Sequence, residues 1–219
     1  MHVYASDAED RKTVPTVLAV IGIVATLFLV YLIQALKFQI PWWVDAPSVM
    51  GFYALFYRLY DRVLWRLHVG PIYLSMIPDV SGVWAGVLTS SYNEGTKINI
   101  VFFIEQRWSK ISIKTETETS TSYTTMAALY TAESHEPRLT YEYLSTPKAF
   151  AVKTMNIHPG TGHLVLSPAF RTLTGKGEYY TGRGRQTLGE LNLHFVSKQM
   201  IEYEEAIKRL THEQASSGS

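Results

Sequence analysis

Residues 97–118 read K-I-N-I-V-F-F-I-E-Q-R-W-S-K-I-S-I-K-T-E-T-E, and their alternation decides the fold of most of the chain. Ile98, Ile100, Phe102, Ile104 and Gln106 fall on one face, against Lys97, Asn99, Glu105 and Arg107 on the other. Past a short turn, Ile111, Ile113, Thr115 and Thr117 oppose Ser112, Lys114, Glu116 and Glu118. A period of two belongs to half-buried strands, not to helices. The stretch is a pair of neighbouring strands.

Working outward, the same alternation recurs with turn residues at regular intervals. Predicted strands cover 82–92, 97–107, 110–118, 120–132, 137–145, 162–168, 175–183 and 187–196. Asn93-Glu94-Gly95 and Arg183-Gly184-Arg185-Gln186 supply two of the hairpin turns. Strands at this spacing with no helix between them predict an all-β, eight-stranded up-and-down antiparallel barrel, since closure removes exposed edges. A two-sheet sandwich is the alternative.

Alternation gives each strand an inside, and up-and-down topology assigns each inward residue to an end. One end collects Ser90, Thr115, Thr117, Ser120, Ser122, Tyr143, Thr181 and Arg183. The other collects Trp84, Ile111, Leu139, Leu193 and Phe195, with Gln106 as its polar exception. The expectation is a sealed apolar floor and a polar cup. The anchor and the C-terminal segment enter at the floor, so the cup should open away from a membrane. Hydroxyls, phenols and a guanidinium suit a ligand with phosphates and planar rings. In the plainer reading the hydroxyls satisfy one another, the backbone or trapped water, and Arg183 sits at the rim.

Ahead of the barrel, residues 17–36 carry no charge and reach roughly 30 Å as a helix, the thickness of a bilayer's hydrocarbon core. Pro41, Trp42 and Trp43 follow at headgroup level, and Asp45 can cap a second helix over about 46–67. Arg58, Arg62 and Arg66 are four apart and stack along one stripe, either snorkelling to headgroup phosphates or forming a polar seam for helix contact. Arg11 and Lys12 before the first span, with the arginines after the second, predict a multi-pass hairpin with the barrel in the cytoplasm. The chain thus divides into an N-terminal cytoplasmic segment (1–13), a two-helix transmembrane hairpin (14–70), the barrel (71–196), a C-terminal helix (197–211) and a disordered tail (212–219). Met200, Tyr203, Ile207 and Leu210 give that last helix an apolar stripe, for the barrel floor or a neighbour.

A formal charge of +1 provides no basic field for a nucleic-acid polymer. The absence of cysteine removes disulfides, thiolate metal sites and Cys nucleophiles. His158 and His163 share a predicted loop without a third ligand, so no metal is expected. No catalytic set stands out, and the reading is a binder rather than an enzyme.

The stretches I-P-D-V-S-G-V-W-A-G (77–86), I-E-Q-R-W-S-K-I-S-I-K-T-E-T-E-T-S-T-S-Y (104–123), T-Y-E-Y (140–143) and G-E-Y-Y-T-G-R (177–183) carry a family resemblance. The chain resembles the transmembrane β-barrel effectors of bacterial anti-phage CBASS systems, CD-NTase-associated proteins with two membrane helices ahead of a lipocalin-like barrel. The resemblance implies a receptor for a cyclic dinucleotide made by a partner nucleotidyltransferase. Binding would drive homo-oligomerisation, and the helices would then disrupt the bacterial inner membrane. It places ligand contacts at Trp108, Thr115, Ser122, Tyr141, Tyr179, Thr181 and Arg183. The alternative is a membrane-anchored binder of a lipid or other apolar molecule.

Overall fold

The computed structural model describes residues 1–37, 48–69, 72–92, 95–131, 136–169, 172–182 and 186–217. They gather into two compact units: Met1–Asp7 with Pro78–Ser219, and Ala8–Ile77.

The first unit is the barrel. Its strands are β1 (Gly82–Ser90), β2 (Thr96–Gln106), β3 (Lys110–Thr117) and β4 (Ser120–Tyr130). They continue with β5 (Arg138–Pro147), β6 (His158–Ala169), β7 (Thr172–Thr181) and β8 (Leu188–Ser197). Each pairs antiparallel with its sequence neighbour, and β8 returns to β1. This is the closed up-and-down barrel, not the sandwich.

The inward faces are those that alternation assigned. Trp84, Phe102, Ile104, Ile111, Leu139 and Leu164 fill the floor at 2% exposure or less. Trp84 donates its indole N–H to the Val80 carbonyl at 3.0 Å and meets Phe195 edge-on at 5.4 Å. Gln106 is a working exception among these apolar groups. Its Oε1 accepts from the Val80 amide at 2.8 Å, and its Nε2 donates to the Pro78 carbonyl and the Tyr4 hydroxyl at 3.1 and 3.2 Å. A buried amide is tolerated only when its hydrogen bonds are made, and here they tie the entering chain to residue 4.

Several boundaries and placements differ from the sequence reading. Residues 158–163, expected as a loop, are the first half of β6, running antiparallel to β5 opposite Tyr141 and Tyr143. The C-terminal helix α3 (Tyr203–Ser217) lies on the outer wall rather than on the floor. It buries Ala206 and Leu210 against Val83, Ala85 and Val101, which explains why β1 and β2 are apolar on both faces. It also runs through 212–217, so composition misjudged that tail.

The predicted segment 1–13 divides as well. His2–Val3 pairs antiparallel with β3, and Ala5–Ser6 pairs parallel with β4. The chain leaves the barrel unit at Asp7 and re-enters it at Pro78.

At that re-entry, Lys198 at the end of β8 contacts Asp79 at 2.6 Å and Ser81 Oγ at 2.9 Å. Burial alone would raise the Asp79 carboxyl, but hydrogen bonds from Lys198 and Ser81, with the Lys198 charge, hold it below its usual value. A carboxyl lowered by folding contributes stability above its unfolded pKa of about 3.9, and that contribution fades as pH falls through the folded value. Lys198 is half-exposed, so the effect is modest. Asp79→Asn should lower the barrel's melting temperature by about 2–4 °C at pH 7. The difference should disappear near pH 2, as thermal melts at the two pH values will show.

In the second unit, α1 (Asp10–Ala35) has 26 residues and is apolar enough to cross a bilayer. The described part of α2 (Ser48–Arg62) has 15 residues, about 22 Å at 1.5 Å per residue. The expected Pro41, Trp42, Trp43 belt and Asp45 cap lie outside the described residues. Leu18, Gly22 and Thr26 form the buried stripe of α1. A Cβ on Gly22 would stand 3.4 Å from the Tyr53 backbone nitrogen, so α2 passes within ordinary van der Waals reach of α1 at this small residue. Arg58 and Arg62 are exposed on α2. Arg66 does not continue their stripe. The helix ends at Arg62, and Arg66 sits on a separate turn (Leu64–Arg66) with its guanidinium over the Trp65 ring at 4.9 Å.

Candidate functional site

The mouth end of the barrel is a cup to which every strand contributes. Ser90 comes from β1, Ile100 from β2, Thr115 and Thr117 from β3, and Ser120 and Ser122 from β4. Tyr141, Tyr143 and Ser145 come from β5, His158 from β6, Tyr179 and Thr181 from β7, and Leu191 from β8. Met155 and Thr187 reach in from the connecting segments. Among the described residues no carboxylate lines it.

The hydroxyls are organised in pairs. Tyr179 donates to Ser90 Oγ at 2.7 Å; Thr181 and Thr187 hydroxyls meet at 3.0 Å, and Thr117 and Ser120 at 2.9 Å. His158 donates from Nδ1 to the Asn156 carbonyl at 2.9 Å, which fixes that tautomer. These bonds satisfy part of the cup and leave lone pairs and rotatable O–H groups for a guest.

Three tyrosines are held by one device. Each ring lies flat across a glycine on the next strand, because only a residue without Cβ leaves room there. A Cβ on Gly162 would stand 2.3 Å from Tyr141 Cζ, and one on Gly160 would stand 2.3 Å from Tyr143 Cζ. A Cβ on Gly189 would stand 2.7 Å from the Tyr179 ring. The rings become wall, and the space inside them stays open. Tyr141 also packs edge-on against Phe102 at 5.9 Å and tilts against Tyr143 at 6.0 Å. Burial, and then the neighbouring Tyr143, push its phenol well above the usual value. It is a neutral hydrogen-bond donor at any physiological pH.

The cavity of the cup is about 80 Å³. Ligand pockets usually measure about 300–1,000 Å³. A drug-sized guest therefore exceeds the cup as it stands, and seating one requires the wall to widen.

Thr115, Ser122, Tyr141, Tyr179 and Thr181, expected as contacts, are brought together here. Trp108 is not. It is 2% exposed on the β2–β3 turn, at the floor, and does not line this cup. Arg183 lies outside the described residues. Ser145, Met155, His158 and Thr187 were missed. Ser145 continues the alternation of Tyr141 and Tyr143 and was there to be read; His158 was hidden by the reading of 158–163 as loop.

A closed antiparallel barrel with a hydroxyl-lined cup, on a chain with a bilayer-length apolar helix, is a membrane-associated barrel of the ligand-cup class. The chain belongs to the Cap15 family: residues 75–194 match its cyclic dinucleotide receptor domain, and residues 12–66 match its TM helices. It is 22% identical over 176 residues to CD-NTase-associated protein 15 of Escherichia albertii, covering 78% of this chain and 87% of that one. It is 29% identical over 153 residues to CD-NTase-associated protein 15 of Staphylococcus schleiferi, covering 69% and 79% respectively.

Proposed function

We propose that the cup captures a cyclic dinucleotide and that occupancy drives self-association through which the membrane helices breach a bacterial inner membrane. The barrel then faces the cytoplasm. The observation that carries this reading is the ring of hydroxyls and phenols at one end of a closed barrel. It offers donors to phosphate and flat aromatic faces to bases, with no carboxylate among the described lining residues to repel an anion. Thr115, Ser122 and Thr181 hydrogen-bond the ligand, and Tyr141, Tyr143 and Tyr179 hold bases or ribose. Arg183, two residues beyond Thr181 in sequence, is the partner for phosphate. No step of this requires catalysis, and the chain acts as a binder. Arg58 and Arg62, exposed on α2, are the charges available for contacts between copies or with headgroups.

Titration calorimetry of the full chain in detergent against a panel of 3′,3′-cyclic dinucleotides tests the reading. One member should bind at micromolar affinity or better. Arg183→Ala should weaken it by roughly ten- to a hundredfold, the worth of one lost charged hydrogen bond. Binding by no member, with a lipid co-purifying instead by mass spectrometry, would favour the apolar-ligand alternative.

A further inference from the structure

The barrel has one weak seam. Every other neighbouring pair of strands is joined over seven or more residue pairs, with a register shift within β4–β5 and at the end of β8–β1. β3 and β4 pair only at Lys114–Tyr123, Thr115–Ser122 and Glu116–Thr121. Toward the floor they part. Met1–Asp7 is inserted into the gap, with His2 opposite Ile111, Val3 opposite Lys110, and Ala5 and Ser6 opposite Ala128 and Leu129.

The fork falls at Thr124, beside an irregularity in the β4 register. Its hydroxyl accepts from the Ile113 amide at 3.1 Å, where a ladder bond to β4 would otherwise form, and meets His2 Nε2 at 3.0 Å. Below it, Tyr4 is 3% exposed and is held by Gln106. At the bottom, Asp7 Oδ1 accepts from the Thr131 amide at 2.8 Å and hydroxyl at 3.2 Å. Seven residues with no hydrophobic repeat of their own are thus fastened at top, middle and bottom.

Two facts meet at this seam. Thr115 and Ser122, the pair in its centre, line the cup. The inserted segment's first pair, His2 with Ile111, lies four residues below Thr115, about 13 Å along the strand, and the His2 ring reaches Thr124, two residues from Ser122. The same segment continues through Ala8 and Glu9 into α1 at Asp10.

We infer that the β3–β4 seam is the barrel's moving joint and that residues 1–7 are its output. A ligand that widens the cup at Thr115 and Ser122 strains the weakest pairing in the wall. The fork at Thr124 shifts, the inserted segment changes its seat, and α1 receives the displacement through two residues of chain. This rests on the cyclic dinucleotide reading above and gives that site its regulation.

The chain has no cysteine, so Val3→Cys with Lys110→Cys, both on the outer surface, creates a unique pair for locking the segment to β3. The full chain in dye-loaded phosphatidylglycerol–phosphatidylethanolamine vesicles is challenged with the 3′,3′-cyclic dinucleotide that calorimetry selects. The oxidised pair should bind within about twofold of wild type and release dye at least tenfold more slowly, with reductant restoring release. In parallel, nucleotide should speed amide hydrogen exchange of residues 1–7 and 110–113 in the wild-type chain by fivefold or more, a readout that needs no variant to fold. A locked protein that leaks like wild type, or unchanged exchange in a chain that binds, overturns the joint and leaves the receptor reading standing. A wild-type chain that binds no cyclic dinucleotide overturns both.

Discussion

Alanine at position 162 is expected to weaken cyclic dinucleotide binding by tenfold or more while moving the barrel's melting temperature by only a few degrees. The added methyl would stand 2.3 Å from Tyr141 Cζ and 2.4 Å from its hydroxyl. Two ways out exist, movement of β6 or movement of the ring. β6 is paired on both sides, to β5 and β7, over most of its length, so its backbone is held. The phenol is the far end of a flexible side chain and rotates inward, into a cup of only about 80 Å³. The substitution therefore fills the cup from within. A tenfold loss corresponds to about 1.4 kcal/mol. Calorimetry and a thermal melt on the same preparation separate the two effects. The double change Gly162→Ala with Tyr141→Ala removes the clash and should keep the cup open, with affinity limited only by the missing ring. Unchanged affinity in the single variant would remove Tyr141 from the ligand's wall.

The largest loss of stability is expected at the opposite end. Trp84→Ala should lower barrel stability by about 3–5 kcal/mol, the range for deleting a large aromatic from a packed core. Trp84 is 1% exposed, its ring carries Phe195 edge-on, and its N–H satisfies the Val80 carbonyl. Removal leaves a void and an unpaired carbonyl together. A fall in melting temperature of roughly 10 °C or more follows, read by near-ultraviolet circular dichroism. Trp84→Phe should recover much of the packing but not the hydrogen bond. A loss of only a few degrees for the alanine variant would mean that the floor relaxes around the gap.

How far the sequence could be read depended on how local each signal was. Strict alternation in K-I-N-I-V-F-F-I-E-Q placed every inward residue of β2 correctly, and the two-ended interior followed from topology alone. The outer position of α3 was also encoded, since Val83, Ala85 and Val101 make the outward face apolar; alternation alone treats such residues as noise. The glycine seats were not legible. Gly160 and Gly162 look like loop punctuation until β6 is set beside Tyr141 and Tyr143, a pairing distant in sequence. The inserted segment was invisible for a related reason. His2–Val3 and Ala5–Ser6 are too short to carry a period, and their strand character comes entirely from the gap they fill. Trp108 was misplaced for the opposite reason: a motif match gives residue type and spacing but no address within the barrel.

One consequence of the chain's exit at Asp7 and return at Pro78 is practical. The anchor is an insert within the receptor's own sequence, so trimming everything before the first long strand discards a piece of the receptor. Excising 8–77 and splicing residue 7 to residue 78 through a few glycines would instead yield a water-soluble sensor that retains its complete wall. Such a splice offers a ready scaffold for a fluorescent reporter.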